Sequence, residues 1–81
     1  MITTQDLPAL RVRGITLRAV SQTRWRVLDR TGRVLGHLRA EAQRTGTRFH
    51  AERLDLAAAR LRDLGAFWSA DEAIECLRYL R

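Results

Sequence analysis

Guanidinium groups are the chemistry this chain offers in quantity. Ten of its fifteen arginines fall between positions 11 and 48, where only Asp29 and Glu41 oppose them, a local surplus of eight positive charges. From position 51 to 81, five arginines face six acids, and the whole chain carries a net charge of +6. A guanidinium is a planar fork of donors that pairs in bidentate fashion with a phosphate or a guanine edge. A segment so charged suits a polyanion, nucleic acid first of all. The candidate contacts are Arg18, Arg24, Arg26, Arg30, Arg33, Arg39 and Arg48. There is no lysine. Abundant arginine, alanine and leucine without lysine is what GC-rich coding produces, but such coding would enrich the C-terminal part equally, and there acids cancel the charge.

Other chemistries find little to work with. His37 and His50 fall among arginines, without an evident carboxylate to orient either ring. Cys76 lies in a helical stretch on the far side of the sheet from both histidines, so it reads as a structural thiol rather than a nucleophile. Neither a Cys/His cluster of zinc spacing nor a triplet of carboxylates for magnesium is present, and no cofactor or metal is expected. The single cysteine excludes an internal disulfide. The opening M-I-T-T-Q-D-L-P-A-L has neither a basic stretch before an apolar core nor a long apolar run, so a protein neither secreted nor membrane-spanning is expected, and its cysteine usage points to the cytoplasm. With no motif whose mechanics can be stated, an enzyme is not expected.

The elements that would position the arginines follow from period and punctuation. At 81 residues the chain is long enough for one modest core. Residues 1–10, with Pro8, lack a clear period and read as an irregular arm ahead of a single α+β domain over 11–81. Alternation predicts strands over residues 15–20, 24–30, 33–42 and 48–54, with turns at 21–23, at Asp29-Arg30-Thr31-Gly32 and around Gly46. Residues 55–65 read as a turn at 57–59 and a brief strand, a short helix being the alternative. Ser69 with Glu72 three residues on forms a capping box, and Ala70, Ala73, Ile74, Leu77 and Leu80 recur at helical spacing. Trp68 could staple the start of that helix against Ala73. The fold class is therefore α+β, a small antiparallel sheet of three to five strands packed on one C-terminal helix.

With period 2 in each strand, Ile15, Leu17, Trp25, Val27, Val34, Leu38 and Phe49 share one face, and Arg18, Arg24, Arg26, Arg33, Arg39 and Arg48 share the other. One helix covers one face. The arginine face is left open for nucleic acid, with the turns at 30–33 and 44–48 as phosphate clamps, while Trp25 and Trp68 are expected in the core. Two other readings stand beside this one. Arginines on a wet face keep an exposed sheet soluble and block edge pairing. The acidic helix face (Asp71, Glu72, Glu75) or a sheet edge could also dock a protein partner or a second copy of the chain.

The order of elements resembles a known DNA-binding module. W-R-V-L-D-R-T-G-R-V over residues 25–34, an arginine-bearing sheet, and F-W-S-A-D-E-A over 67–73 opening a C-terminal helix are similar to the arm-site DNA-binding domain of tyrosine recombinases. That resemblance implies a three-stranded sheet set into the major groove of duplex DNA. This chain departs in having an extra strand ahead and no recombinase catalytic domain. It also resembles a group of short arginine-rich proteins of GC-rich bacteria ending in G-x-F-W-S-x-D-(D/E)-A, some labelled as DNA mismatch repair proteins.

Overall fold

The computed structural model describes Pro8 and residues 10–79. Five strands and one helix follow one another: β1 (Thr16–Ala19), β2 (Arg24–Leu28), β3 (Val34–Gln43), β4 (Gly46–Asp55), β5 (Arg60–Phe67) and α1 (Ala70–Tyr79). The strands form one antiparallel sheet in sequence order. The α+β architecture expected from the sequence is thus present, with the full five strands. Of the arm expected over residues 1–10, all but Pro8 and Leu10 lies outside the described residues. Leu10 packs against the core with Val12 and Ile15.

Local chemistry explains the turns. Asp29 closes the β2–β3 turn by accepting from the amides of Thr31 and Arg33 and from the Thr31 hydroxyl, and Gly32 takes the left-handed φ of +88° that the turn requires. These hydrogen bonds to Thr31 and Arg33 hold the Asp29 carboxyl below its ordinary pKa. Residues 55–65 resolve as a turn and a strand, and β5 runs on to Phe67. In that turn the Asp55 carboxylate accepts from the Ala58 amide, and Ala59 adopts a left-handed φ of 53°.

The helix begins where the capping box places it. Ser69 Oγ accepts from the Glu72 amide at 3.1 Å and lies 3.3 Å from Glu72 Oε1. Asp71 has a second task besides favouring the positive end of the helix: its Oδ1 accepts from the amides of Arg11 and Val12, tying the chain ahead of β1 to the first helical turn. Ala70, Ala73, Ile74 and Leu77 bury against Trp25, Val27, Leu38 and Ala51. Cys76 packs at the margin of this core, and burial raises its thiol pKa, with Arg53 opposing.

Three expectations are corrected. An extra residue in β3, where Val27 pairs with Gly36 and Leu28 with Val34, turns Val34 onto the arginine face, 48% exposed, whereas Leu28, which keeps its place on that face opposite Thr16, is buried rather than wet. Arg33 lies in the turn rather than in β3. Trp68 is 54% exposed and therefore neither a core residue nor a staple, while Trp25 is buried as expected.

Gly36 is where sheet and helix come closest. A Cβ there would stand 2.5 Å from the Glu52 carbonyl oxygen and 2.7 Å from Leu77 Cδ2. Since the oxygen belongs to a neighbouring strand's backbone, relief requires moving the strand or the helix. Gly36→Ala is expected to destabilise the domain by about 2 kcal/mol or more, a fall in Tm of roughly 10 °C by calorimetry.

Candidate nucleic-acid interface

Strand register builds the open face as two rows of directly opposed residues. One row runs Arg18, Arg26, His37, Glu52, Asp63 across β1 to β5. The other runs Arg24, Arg39, His50, Ala66 across β2 to β5. Opposed residues share a face, so the arginine face is real, but it also carries Glu41, Glu52 and Asp63. Two of these acids come from the part of the chain whose charges sum close to neutral.

Those acids bind a large part of the guanidinium surface. Glu52, 5% exposed, receives Arg24 through Nε at 2.9 Å and Nη2 at 3.3 Å, and Arg39 through Nε at 2.9 Å. Arg39 also reaches Asp63 at 3.7 Å. His50 lies between Asp63, 2.8 Å from Nδ1, and Glu41, 2.7 Å from Nε2. This contact with His50 is the main reason the Glu41 carboxyl sits below its ordinary pKa. His50 therefore has carboxylate partners that the sequence did not disclose. Both ring nitrogens are occupied, which leaves neither facing a substrate proton.

Arg48 is held differently. Its guanidinium lies 4.4 Å from the centroid of the exposed Trp68 ring, and Nη2 donates to the Ala66 carbonyl. This contact fixes the end of β5 to β4 and leaves Arg48 poorly placed to clamp a phosphate. The seven candidate arginines thus separate. Arg24, Arg39 and Arg48 are engaged within the fold, whereas Arg18, Arg26, Arg30 and Arg33 are exposed and form no salt bridge among the described residues.

The four available arginines are not scattered. Arg18 and Arg26 oppose each other on the open face. Arg26 and Arg33 line one groove at the β2–β3 end of the sheet, and Arg30 lines a second beside it with Arg13. Arg78 and Asp29 border both grooves, and the Arg30 guanidinium rests against Gly14. Asp29 Oδ1 already accepts three hydrogen bonds within the turn. Arg13 and Arg78 went unmarked in the sequence because neither falls in a strand of the arginine face. His37, between Arg26 and Glu52 in its row, has its pKa lowered by burial first and then by Arg26 and Arg24, with Glu52 opposing. Its Nδ1 is buried without a hydrogen-bond partner among the described residues.

Among the described residues no group of three or more His, Cys, Asp or Glu side chains is arranged to hold a metal ion, and no helix is long and apolar enough to cross a membrane. A scan against protein-family models and searches of curated proteins and of solved structures found no match to this chain.

Removing the Glu52 charge leaves two opposed guanidinium groups with one neutral partner. Arg24 and Arg39 retain 33% and 29% side-chain exposure, so water relieves part of the loss. Glu52→Gln is expected to destabilise by about 2 kcal/mol in urea unfolding, below the roughly 3–5 kcal/mol of a fully buried pair. Arg18→Gln should change stability by less than about 0.5 kcal/mol.

Proposed function

We propose that this domain binds nucleic acid, with duplex DNA as the preferred ligand, through Arg18, Arg26, Arg30 and Arg33. The observation that carries this reading is the opposed pair Arg18 and Arg26, exposed and without an acidic partner among the described residues. Like charges directly across a strand pair destabilise it by a few tenths of a kcal/mol to about 1 kcal/mol. An anion between them turns that repulsion into attraction. Arg33 and Arg30 at the neighbouring turn extend the same surface, so a phosphate backbone can follow it from the open face onto the end of the sheet.

Arg24 and Arg39 contribute to this surface chiefly as field, because Glu52 holds the Nε–H of each and fixes their direction. Arg48 shapes the far end with Trp68. The setting is cytoplasmic, where the Cys76 thiol stays reduced. The solvated-face alternative is weakened by position: arginines needed only for solubility gain nothing from being placed opposite one another.

Fluorescence anisotropy against duplex DNA, single-stranded DNA and duplex RNA across roughly 50 to 200 mM salt tests the reading. With four phosphates neutralised, log K should fall with log salt at a slope of about −3.6, a loss of roughly 10²-fold over that range. The double variant Arg18→Glu with Arg26→Glu should lose binding while melting within a few degrees of the parent. An unchanged affinity in that folded variant would remove the surface from consideration.

His37 links binding to pH. Its folded-state pKa is lowered, so the unfolded chain takes up protons first as pH falls. The His37 contribution to stability is therefore complete above about pH 6.5 and is lost as pH drops through the folded value. A phosphate held by Arg26 offsets the charges that lower this pKa, so the complex takes up a proton. DNA affinity should rise as pH falls below about 6.5, and His37→Gln should flatten that rise.

A further inference from the structure

The sheet is not closed along its whole length. β3 pairs with β2 from Val34 onward, yet its pairing with β4 begins only at His37 opposite Glu52. β4 continues past that point to Asp55, paired on its other side with β5. At the same level β5 carries an extra residue, Leu64, where Glu52 pairs with Asp63 and Ala51 with Gly65, an irregularity of the kind that bends a strand. The result is a wedge inside the sheet, an open groove of about 1010 Å³ with Val34, Leu35 and Gly36 on one wall and Arg53, Leu54 and Leu56 on the other.

The groove has a distinct chemical character. Val34, Leu54 and Leu56 are 48%, 50% and 82% exposed, three aliphatic side chains at one rim of a small domain. Leu77 forms part of the lining. Arg53 is committed to the helix C-terminus through the Leu77 carbonyl at 2.9 Å. Arg26, Arg33 and Arg78 border the groove, and Asp29 is the acid that lines it. β3 and β4 are neighbours in the sheet, and no pair between them is formed before His37 on β3 or beyond Glu52 on β4 among the described residues.

We propose that this wedge receives an extended acidic peptide segment of a partner protein, added as a short strand between the splayed ends of β3 and β4. Strand addition supplies the backbone partners that the two walls lack, and alternate side chains of the incoming segment point to opposite faces. Aliphatic residues on one side of that segment meet Val34, Leu54 and Leu56. Acidic residues, on the opposite side, face the helix end and meet Arg78, while Arg26 and Arg33 at the mouth of the groove attract the segment's negative charge. Aliphatic walls suit peptide side chains better than nucleobases, which stack on aromatic rings; of the two exposed aromatics, Trp68 stands apart against Arg48 and Gly46, and Tyr79 lies against Arg78 outside the groove lining. The proposal does not depend on nucleic-acid binding. The two ligands share Arg26 and Arg33, so each should displace the other.

The test uses the whole chain and a fluorescein-labelled eight-residue peptide alternating leucine and glutamate. Its controls are a glutamate-only peptide of equal charge, the alternating peptide with N-methylated backbone amides, and a single-stranded oligonucleotide. Specific binding of the alternating peptide is expected, at least 10-fold tighter than either peptide control. Val34→Glu with Leu56→Glu, both at exposed positions, should weaken it by 10-fold or more with an unchanged circular dichroism spectrum. Hydrogen exchange should slow at residues 34–35 and 53–55 when the peptide is bound. Equal binding of the glutamate-only peptide, indifference to N-methylation, unaltered binding by the folded double variant, or protection confined to β1 or to the outer side of β5 would each overturn the proposal. Stronger binding of the oligonucleotide in the wedge, lost in the same variant, would assign the groove to nucleic acid instead.

Discussion

A carboxylate lies among guanidinium groups at the middle of the open sheet face, and the arrangement of that face follows from it. Glu52 is 5% exposed and bonds Arg24 on β2 and Arg39 on β3, which are themselves opposed in register. Without it the central strand pair would bring two like charges together at cross-strand distance. With it, three strands are fastened at one point in one register. A slip of one residue would turn Arg24 and Arg39 toward the helix and expose Trp25 and Leu38, so the ion pairs and the core select the same pairing.

This also explains why a strongly basic sheet folds with a small core. The helix contributes Ala70, Ala73, Ile74 and Leu77 to a cluster whose sheet side is largely Trp25, Val27, Leu38 and Ala51. Such a core has little margin against charge repulsion. Glu52 and Asp63 reduce that repulsion through Arg24 and Arg39, and Glu41 and Asp63 hold the His50 ring beside them. The candidate arginines left without an acid, Arg18, Arg26, Arg30 and Arg33, lie on β1, on β2 and in the β2–β3 turn. Structural and available arginines are thus separated in space, and the available ones form the surface to which we assign nucleic acid.

Two irregularities shape what the domain offers to partners. The extra residue in β3 turns Val34 outward, and β5 carries an extra residue, Leu64, at the level where the β3–β4 pairing ends. Each is a single-residue shift in phase, and both sit where the sheet opens between β3 and β4. An otherwise ordinary five-stranded meander thereby acquires an internal pair of strand edges with aliphatic and cationic borders.

Most of the fold was legible in the sequence because its determinants are local. Period-2 alternation over β2, β3 and β4, the Asp29 to Gly32 turn and the Ser69 to Glu72 capping box act over a few residues; the turn and the cap appear where the pattern places them, and the strands have ends shifted by one or two residues. The separation of an arginine face from an apolar face was legible for the same reason. The state of those arginines was not. Glu52 lies 28 residues from Arg24 and 13 from Arg39, and Asp63 lies 13 from His50. Charge summed along the chain assigns these acids to a neutral C-terminal half, whereas antiparallel pairing sets them directly against the basic strands. Bulges likewise leave no mark in an alternating pattern and change the phase of everything beyond them. The chain's local order determined that there would be a basic sheet face under one helix. Only the tertiary structure decided which guanidinium groups remain available on it, because electrostatic partners are chosen by distance across strands and not by distance along them.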